Sequence, residues 1–265
     1  EGGEGRGMSP AASPVDLALV RRLERASLLS VPAEQEWEVG GWLCRWGADG
    51  RVGRVASACV SPFAATGQVA PAAVVASTYA ARGLPALLRV TPLAPVEVLA
   101  SATPLPGKAR VAIMTRDLGV PGPEVGRIEV ALAEDPSPDW SEAFRADQPD
   151  EGAARLALAA AAPSPRRFAA ALVDGTVAGL ALGVVAEGAL GAFDVLTAPA
   201  FRRRGVATAV MSALMAWGRA QGADVAYLQV AEANAPAVAL YEGLGFGRVY
   251  SYFYSAVEAL SPSPA

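Results

Sequence analysis

Hydrophobic and polar positions alternate along the first half of the chain with the periods of helices and strands. Leu17, Val20, Leu23 and Leu28 lie near helical spacing, which predicts a helix over residues 15–29. Two strands are expected around a turn at Ala48-Asp49-Gly50, followed by two further helices and two further strands. The strands are predicted at 37–46, 51–60, 87–90 and 110–115, and the helices at 70–81 and 95–101.

The second half contains the strongest amphipathic helix, predicted over 205–220, with Val206, Val210, Leu214 and Trp217 on one face. The remaining elements follow from hydrophobic runs separated by turn residues. Strands are predicted at 125–131, 168–173, 177–185, 189–197, 225–230 and 248–257, and helices at 140–145, 152–161 and 236–242. Helices and strands thus alternate in both halves, which predicts an α/β fold.

A weak internal repeat divides the chain into two related halves. Ala81-Arg-Gly-Leu-Pro-Ala-Leu-Leu-Arg-Val90 parallels Ala220 to Val230, and each stretch follows a predicted helix. The Gly/Pro-rich segment 117–124 is the predicted linker between domains at 15–116 and 125–257. Residues 1–14 are expected to be a disordered start or a cloning remnant, and residues 258–265 a disordered Ser/Pro-rich tail.

Composition removes several classes of chemistry. The chain has no histidine and only two cysteines, Cys44 and Cys59, which excludes His-dependent catalysis and a Cys/His zinc site. We therefore expect no metal, and both cysteines as buried hydrophobic side chains in a reduced, cytoplasmic setting. The formal net charge of −4 argues against nucleic acid and polybasic membrane partners. The most apolar stretch, 175–193, is interpreted as two buried strands rather than a membrane span.

The candidate chemistry lies in the segment from Asp194 to Thr208, which passes from a strand through an Arg/Gly turn into the amphipathic helix. Backbone N–H groups at a helix N-terminus point outward, where the helix dipole also favours negative charge. Three arginines, 202–204, would oppose that dipole unless an anion lay between them and the helix. The segment therefore predicts a phosphate or pyrophosphate site, with a solvated basic turn as the alternative.

At this point the sequence resembles the GCN5-related N-acetyltransferase (GNAT) family. Its phosphate loop, Arg/Gln-x-x-Gly-x-Gly/Ala, is matched by Arg202-Arg203-Arg204-Gly205-Val206-Ala207. Its later motif is matched by Asn234 and by Tyr241-Glu-Gly-Leu-Gly-Phe246. The first half resembles the degenerate leading domain of a bacterial subgroup, through Trp42–Trp46 and Tyr79–Pro85. The resemblance implies tandem GNAT folds, with a mixed, mostly antiparallel sheet flanked by helices and a first copy that binds no cofactor.

The resemblance also implies an acetyl-CoA-dependent N-acetyltransferase and a role for each site residue. Tyr241 would protonate the departing sulfur, and Asp194 is preferred over Glu232 as the base because a half-buried carboxylate there would have a raised pKa. Solvent as base and a structural role for Asp194 stay open, as does a core role for Tyr241. The cofactor-binding set is Val195, Leu196, Thr197, Arg202, Arg203, Arg204, Gly205, Val206, Ala207, Thr208 and Asn234, where Asn234 could equally cap a helix.

The acceptor is expected to be a primary amine of a small molecule or a peptide N-terminus, and a homodimer is left open. Five aromatic residues could line its cleft, although each is more often a core residue: Trp42, Trp46, Trp140, Tyr250 and Tyr252. The degenerate half is expected to form a wall of that cleft. The alternative function is a non-catalytic acetyl-CoA sensor or regulatory module.

Overall fold

The computed structural model describes residues 15–50, 52–64, 68–120, 128–148 and 150–257. The predicted start, the tail and residues 121–127 of the linker region lie outside the described residues. The α-helices are α1 (Leu17–Ser30), α2 (Ala73–Ala80), α3 (Val96–Ser101), α4 (Pro138–Asp147), α5 (Gly152–Ala160), α6 (Val206–Ala220) and α7 (Ala235–Gly243). The strands are β1 (Gln35–Val39), β2 (Trp42–Trp46), β3 (Ala58–Val60), β4 (Leu87–Val90), β5 (Val111–Asp117), β6 (Glu129–Ala133), β7 (Arg166–Val173), β8 (Thr176–Ala186), β9 (Ala189–Thr197), β10 (Val225–Ala231) and β11 (Gly247–Ala256).

All described strands join one mixed sheet, in the order β1-β2-β3-β4-β11-β5-β10-β9-β8-β7-β6. Neighbours are antiparallel except for β3 with β4 and β9 with β10. Each parallel pair is connected through a helix, α2 in the first half and α6 in the second. The internal repeat in the sequence therefore corresponds to a repeated β-α-β unit.

The two halves exchange a strand at the centre of the sheet. β5 belongs to the first half of the chain but pairs with β10, with Val111 opposite Ala231 and Asp117 opposite Val225. In return β11, from the second half, pairs with β4 of the first, with Phe253 opposite Val90. The predicted division at 117–124 stays a prediction, and backbone hydrogen bonds cross it on both sides.

One expected strand is a hairpin. The run 37–46 was predicted as a single strand, but β1 ends at Val39 and β2 begins at Trp42. Gly40 and Gly41 between them have φ of 54° and 83°, the positive values that a tight hairpin turn requires. The prediction was wrong because the two glycines were not recognised as a turn. The expected strand 51–60 is likewise shorter, reduced to β3 after a 3₁₀ turn at Gly53–Val55.

Helices cover both faces of the second half of the sheet. α1, α4 and α5 pack against one face around Leu23, Trp140 and Phe144, and α6 and α7 pack against the other around Leu214 and Tyr241. α1 comes from the first half yet packs on β8 and β9, so both halves build one core. A helix long and apolar enough to cross a bilayer does not occur among the described residues.

The interior also contains an ion pair that ties together elements of both halves. Glu24 of α1 pairs with Arg89 of β4, and their side chains are 1% and 3% exposed. The hydroxyl of Tyr250 on β11 donates to the second oxygen of Glu24. A buried ion pair needs such extra hydrogen bonds to offset the desolvation of its charges, so these three residues fix α1, β4 and β11 relative to one another.

Candidate active site

β9 carries a bulge that opens the sheet beside it. Asp194 has a φ of 53°, and the register with β8 shifts between the pairs Leu182–Phe193 and Leu180–Leu196. The parallel pairing of β9 with β10 runs only as far as Ala192 opposite Leu228. Beyond that pair the two strands separate, and the polar backbone edge of β9 faces a gap.

The gap exposes alternate backbone groups of β9. The N–H of Ala198 donates to the carbonyl of Ala178 on β8, so the backbone polar groups of Ala198 point toward β8. Backbone groups alternate in direction along a strand, which turns those of Thr197 and Val195 toward the gap. The Thr197 carbonyl accepts a hydrogen bond from Nε of Arg202 at 3.3 Å.

The turn after β9 leaves the start of α6 without a cap. Gly205 has a φ of 81°, a left-handed conformation that suits glycine, and no side chain caps the helix there. The first N–H of α6 to donate to a backbone carbonyl is that of Ala209. Within the described residues, the N–H groups of Val206, Ala207 and Thr208 therefore have no backbone acceptor. α1 and α4, in contrast, are capped by Asp16 and Ser137.

The position of this helix end is set by a glycine on a neighbouring strand. A Cβ on Gly179 of β8 would lie 2.5 Å from Cγ1 of Val206 and 2.9 Å from the carbonyl oxygen of Leu196. Only glycine allows α6 to approach the sheet this closely. The uncapped N–H groups are thereby brought against the open edge of β9.

A cleft of about 750 Å³, here called the outer cleft, lies between the open edge of β9, the start of α6 and α7. Its lining includes all but one of the predicted cofactor-binding residues: Val195, Leu196, Thr197, Arg202, Arg203, Gly205, Val206, Ala207, Thr208 and Asn234. The exception is Arg204, whose guanidinium lies over the ring of Phe201 at 5.4 Å and lines a smaller pocket beside Val173. Free N–H groups, two guanidiniums and an open glycine make this cleft suited to a phosphate-bearing ligand.

Asn234 and Tyr241 stand where the outer cleft meets a second one. Asn234 caps α7, with its Oδ1 accepting from the N–H of Ala237 at 3.3 Å, so the capping role foreseen as an alternative is present. Its side-chain NH₂ group takes no part in that bond. Tyr241 is 7% exposed, and burial raises the pKa of its hydroxyl from 10.0 to about 12. The phenol therefore keeps its proton at neutral pH.

The second cleft, here called the inner cleft, has a volume of about 550 Å³ and lies between the two halves. The first half contributes residues 52–54, Lys108, Ala109 and Val111, and the second contributes parts of β9, β10, β11, α5 and α7. Four residues line both clefts: Val195, Asn234, Ala237 and Tyr241. The two clefts thus meet at the gap in the sheet, on either side of Tyr241.

Asp194 lies in the inner cleft in an ion pair. Its Oδ1 contacts the guanidinium of Arg155 on α5, and the two side chains are 6% and 24% exposed. Arg155 also donates to Oε1 of Gln148 at 2.9 Å. Glu232, the other candidate base, lies outside both clefts' linings and accepts from Arg248 at 3.1 Å and from the hydroxyl of Ser251 at 2.5 Å. Of the two candidate bases, Asp194 is therefore the one that lines a cleft.

Most aromatic residues foreseen for an acceptor cleft are core residues instead. Of the five, Tyr252 lines the inner cleft, where its hydroxyl donates to Oε1 of Gln229 at 2.9 Å. Trp42, Trp140 and Tyr250 are buried in the core clusters, and Trp46 packs at their edge. Cys44 and Cys59 are buried as expected, and burial raises the pKa of both thiols.

Several lining residues gave no signal in the sequence. Arg54, Arg155 and Gln229 come from a short turn, an Ala-rich helix and the middle of a strand, respectively. None belongs to a motif, and they meet only because both halves of the chain face the same gap. Strand exchange, which sequence patterns do not reveal, is what brings them together.

Comparison with known proteins places this arrangement in a family. A family model described as "Probable histone acetyltransferase Rv0428c C-terminal" matches residues 18–255, nearly the whole described chain. The chain belongs to this acetyltransferase family. A search of the curated proteins gives no significant match.

Solved structures show the same fold. A GCN5-related N-acetyltransferase from Kribbella flavida superposes with a TM-score of 0.64 at 19% identity, covering 89% of this chain and 94% of that chain. A tandem GNAT protein from the clavulanic acid biosynthesis pathway superposes with a TM-score of 0.61 at 15% identity, covering 96% and 90%. The predicted family and the predicted tandem GNAT fold are confirmed.

Proposed function

We propose that the protein is an acetyl-CoA-dependent N-acetyltransferase that transfers the acetyl group directly to a primary amine of a small molecule or a peptide N-terminus. The observation that carries this proposal is the meeting of the two clefts at Tyr241, since residues 195, 234, 237 and 241 line both. A cosubstrate in the outer cleft and an acceptor in the inner cleft would present their reacting atoms to each other there. Such positioning supplies a large part of the rate enhancement in bimolecular transfers.

Acetyl-CoA would supply an activated acyl thioester, and the outer cleft fits its phosphates. The free N–H groups of residues 206–208 and the guanidiniums of Arg202 and Arg203 would bind the pyrophosphate. The pantetheine amides would pair with the gap-facing backbone of Val195 and Thr197, as an added strand pairs with a sheet edge. The free side-chain NH₂ of Asn234 would donate to the same arm.

Transfer requires the amine nitrogen to attack the thioester carbonyl carbon, the C–S bond to break, and the sulfur to gain a proton. Tyr241 is proposed as the donor of that proton, because its raised pKa keeps the hydroxyl protonated and no described group hydrogen-bonds to it. A buried donor with no competing partner can turn toward the sulfur. Solvent would then restore the proton to Tyr241.

The attacking amine must lose one proton, and Asp194 is proposed to accept it through water. Its Oδ1 is engaged by Arg155, but no described hydrogen bond uses Oδ2. Asp194 lies next to Val195, which lines both clefts, so a water on Oδ2 would be close to the reacting nitrogen. Within the described residues, the carboxylates that line the inner cleft are Asp194 and Glu151, and Asp194 is the one adjacent in sequence to a residue that lines both clefts.

The proposal is tested by calorimetric titration with acetyl-CoA and with desulfo-CoA, followed by a thiol-release assay with a panel of amines. We expect one-to-one binding with a dissociation constant on the order of micromolar, and amine-dependent release of CoA. Absence of binding at about millimolar cosubstrate overturns the proposal. Binding without release by any amine would instead identify a sensor.

A further inference from the structure

The inner cleft carries a surplus of positive charge near one wall. Its charged lining residues are Arg54, Lys108, Arg155, Glu151 and Asp194. Arg155 and Asp194 neutralise each other in their ion pair. Arg54 and Lys108 then stand against Glu151 alone, and Lys108 is the single lysine of the sequence. A cleft that receives an amine has no electrostatic need for two further cations, unless the acceptor carries an anion as well.

Arg54 is held in a fixed place on this wall. It lies in the 3₁₀ turn Gly53–Val55, and its carbonyl accepts a hydrogen bond from the buried Arg45 at 2.9 Å. A Cβ on Gly53 would lie 2.8 Å from the Tyr254 ring, so that ring packs directly on the turn. The turn is thus clamped between Arg45 and β11, and a side chain on it is positioned by the fold.

Arg54 is half-buried, and its guanidinium has no anionic partner among the residues that the structure describes. Its central carbon lies 5.4 Å from the ring centroid of Phe193, which also lines the inner cleft. Neither a hydrogen bond nor an ion pair joins the guanidinium to any described residue. The ring face attracts the cation but leaves the N–H donors of the guanidinium without acceptors, whereas a carboxylate would accept hydrogen bonds from them as well as balance the charge. Its planar fork is shaped to bind a carboxylate through two parallel hydrogen bonds.

We propose that the acceptor is an amine that also carries a carboxylate, and that Arg54 binds this carboxylate in the inner cleft. The inference rests on the proposed function and adds the substrate class. The amine would point toward Tyr241 and the gap in the sheet, and the carboxylate would lie against the 3₁₀ turn. Lys108 stands on the same wall, because the N–H of Leu105 binds the carbonyl of Tyr254 and brings the 105–108 turn beside β11.

The positive charges of Arg54 and Lys108 would also favour attack by the amine of such an acceptor. Neighbouring positive charge disfavours the protonated form of an amine, and only the neutral form attacks a thioester. The carboxylate offsets the repulsion that a plain amine would meet on entering. A peptide N-terminus, which has no carboxylate near its amine unless a side chain supplies one, would gain nothing from Arg54.

The test compares two acceptor pools with the whole protein and acetyl-CoA. One pool holds the free amino acids except cysteine, whose thiol would interfere with detection, and the other holds the corresponding amino-acid amides at equal amine concentration. The α-amines of the amides are less basic, so a larger fraction of them is neutral at a given pH. This difference favours the amide pool and therefore works against the proposal. We expect the acid pool to give at least about 10-fold faster CoA release than the amide pool.

Substitutions of Arg54 test whether its guanidinium is the source of that preference. Arg54→Gln should lower the rate of CoA release with the acid pool by about 10- to 100-fold. The rate with the amide pool should change by less than about 3-fold, and the affinity for acetyl-CoA should stay unchanged. Arg54→Lys keeps the charge without the fork and should fall between the two. Arg219→Gln, an exposed arginine in the last turn of α6, is the control and should change neither pool.

Three outcomes overturn the inference. These are an amide pool at least as fast as the acid pool, an equal loss for both pools in Arg54→Gln, or no release with the acid pool while acetyl-CoA binds. In each of them acetyl-CoA binding remains measurable, so the cosubstrate site stands although the acceptor assignment fails. Failure of the unmodified protein to bind acetyl-CoA would overturn the proposed function itself.

Discussion

Asp194 and Arg155 form an ion pair at the bulge of β9, and both members line the inner cleft. The pair joins α5 to the strand that opens the sheet. It therefore has two separable consequences, one for stability and one for the proposed transfer of a proton.

Asp194→Asn tests both consequences. The substitution leaves Arg155 without its anion, and we expect a loss of about 1–3 kcal/mol in the free energy of unfolding, measured by urea denaturation. If Asp194 relays the amine proton, kcat should fall by at least about 10-fold at saturating acetyl-CoA. Arg155→Gln serves as the control, because it breaks the same pair but keeps the carboxylate. Equal kcat in the two variants would leave Asp194 with a structural role.

Gly205→Glu tests the outer cleft. A Cβ at Gly205 meets no atom within 4 Å, so the added side chain projects freely, and its charge would repel a phosphate. We expect acetyl-CoA affinity to fall by about 100-fold or more in calorimetry. Gly222→Glu is a matched control, since Gly222 has a φ of 86° and equally open space at the other end of α6. Unchanged affinity in Gly205→Glu would remove the loop from the site.

Tyr241→Phe tests the proton donor. We expect kcat to fall by about 10- to 1,000-fold while acetyl-CoA affinity stays within about 2-fold, because the ring and its packing are retained. The control is Tyr227→Phe, a buried tyrosine outside both cleft linings. Since the pKa of Tyr241 is raised to about 12, kcat of the unmodified protein should show no decline from its ionisation below about pH 10. Full activity in the variant would exclude this role.

The buried cysteine and tyrosine side chains predict that the folded state loses stability at alkaline pH. Burial raises the pKa of Cys44 to about 12 and that of Tyr241 to about 12, and it also raises the pKa values of Cys59, Tyr79, Tyr227, Tyr250 and Tyr254. In the unfolded chain these groups ionise near their ordinary values, so above about pH 9 the unfolded state binds fewer protons than the folded state. The stability they provide is present below that pH and is lost as pH rises.

Each such group lowers the free energy of unfolding by about 1.4 kcal/mol per pH unit once the pH exceeds its unfolded pKa. We therefore expect the melting temperature, followed by circular dichroism, to fall steeply between about pH 9 and about pH 10.5. A melting temperature that is constant over this interval would contradict the burial of these side chains.

The exchanged strands make a prediction about fragments. A fragment of residues 125–257, the predicted second domain, lacks β5, and β10 and β11 would lose their common partner. We expect it to be unfolded by circular dichroism. A fragment of residues 107–257 restores β5 and should recover more secondary structure, though it still leaves one edge of β11 without β4. A folded 125–257 fragment that binds acetyl-CoA would show that β5 is dispensable.

The predicted phosphate site of the outer cleft could be located from the sequence because residues 202–208 are consecutive. The period of Val206, Val210 and Leu214 predicts α6, and Gly205 marks its start. Local chain geometry then determines which N–H groups are free. Ten of the eleven predicted cofactor-binding residues line this cleft, and Asn234, which is distant in sequence from the turn, was predicted only through the resemblance to the GNAT family. Arg204 is the exception because its side chain lies over Phe201.

The inner cleft could not be predicted in the same way. Its walls meet through the pairing of β5 with β10 and of β11 with β4, and every one of these strands has a similar hydrophobic pattern. The partner of Asp194 was missed because Arg155 is distant in sequence and the bulge that aims the carboxylate carries no residue signature. Contacts of this kind depend on tertiary structure alone.

Strand exchange also constrains how the protein is made. β4 leaves the ribosome well before β11, so the nascent chain carries a hydrogen-bonding edge without its partner while the second half is translated. An unpaired edge of this kind is a template for association with other chains. Pairing between such distant segments also closes slowly, because the loop entropy must be lost before the contacts form. The sheet can thus be completed only after β11 has been synthesised, and the edge of β4 lacks its partner until then.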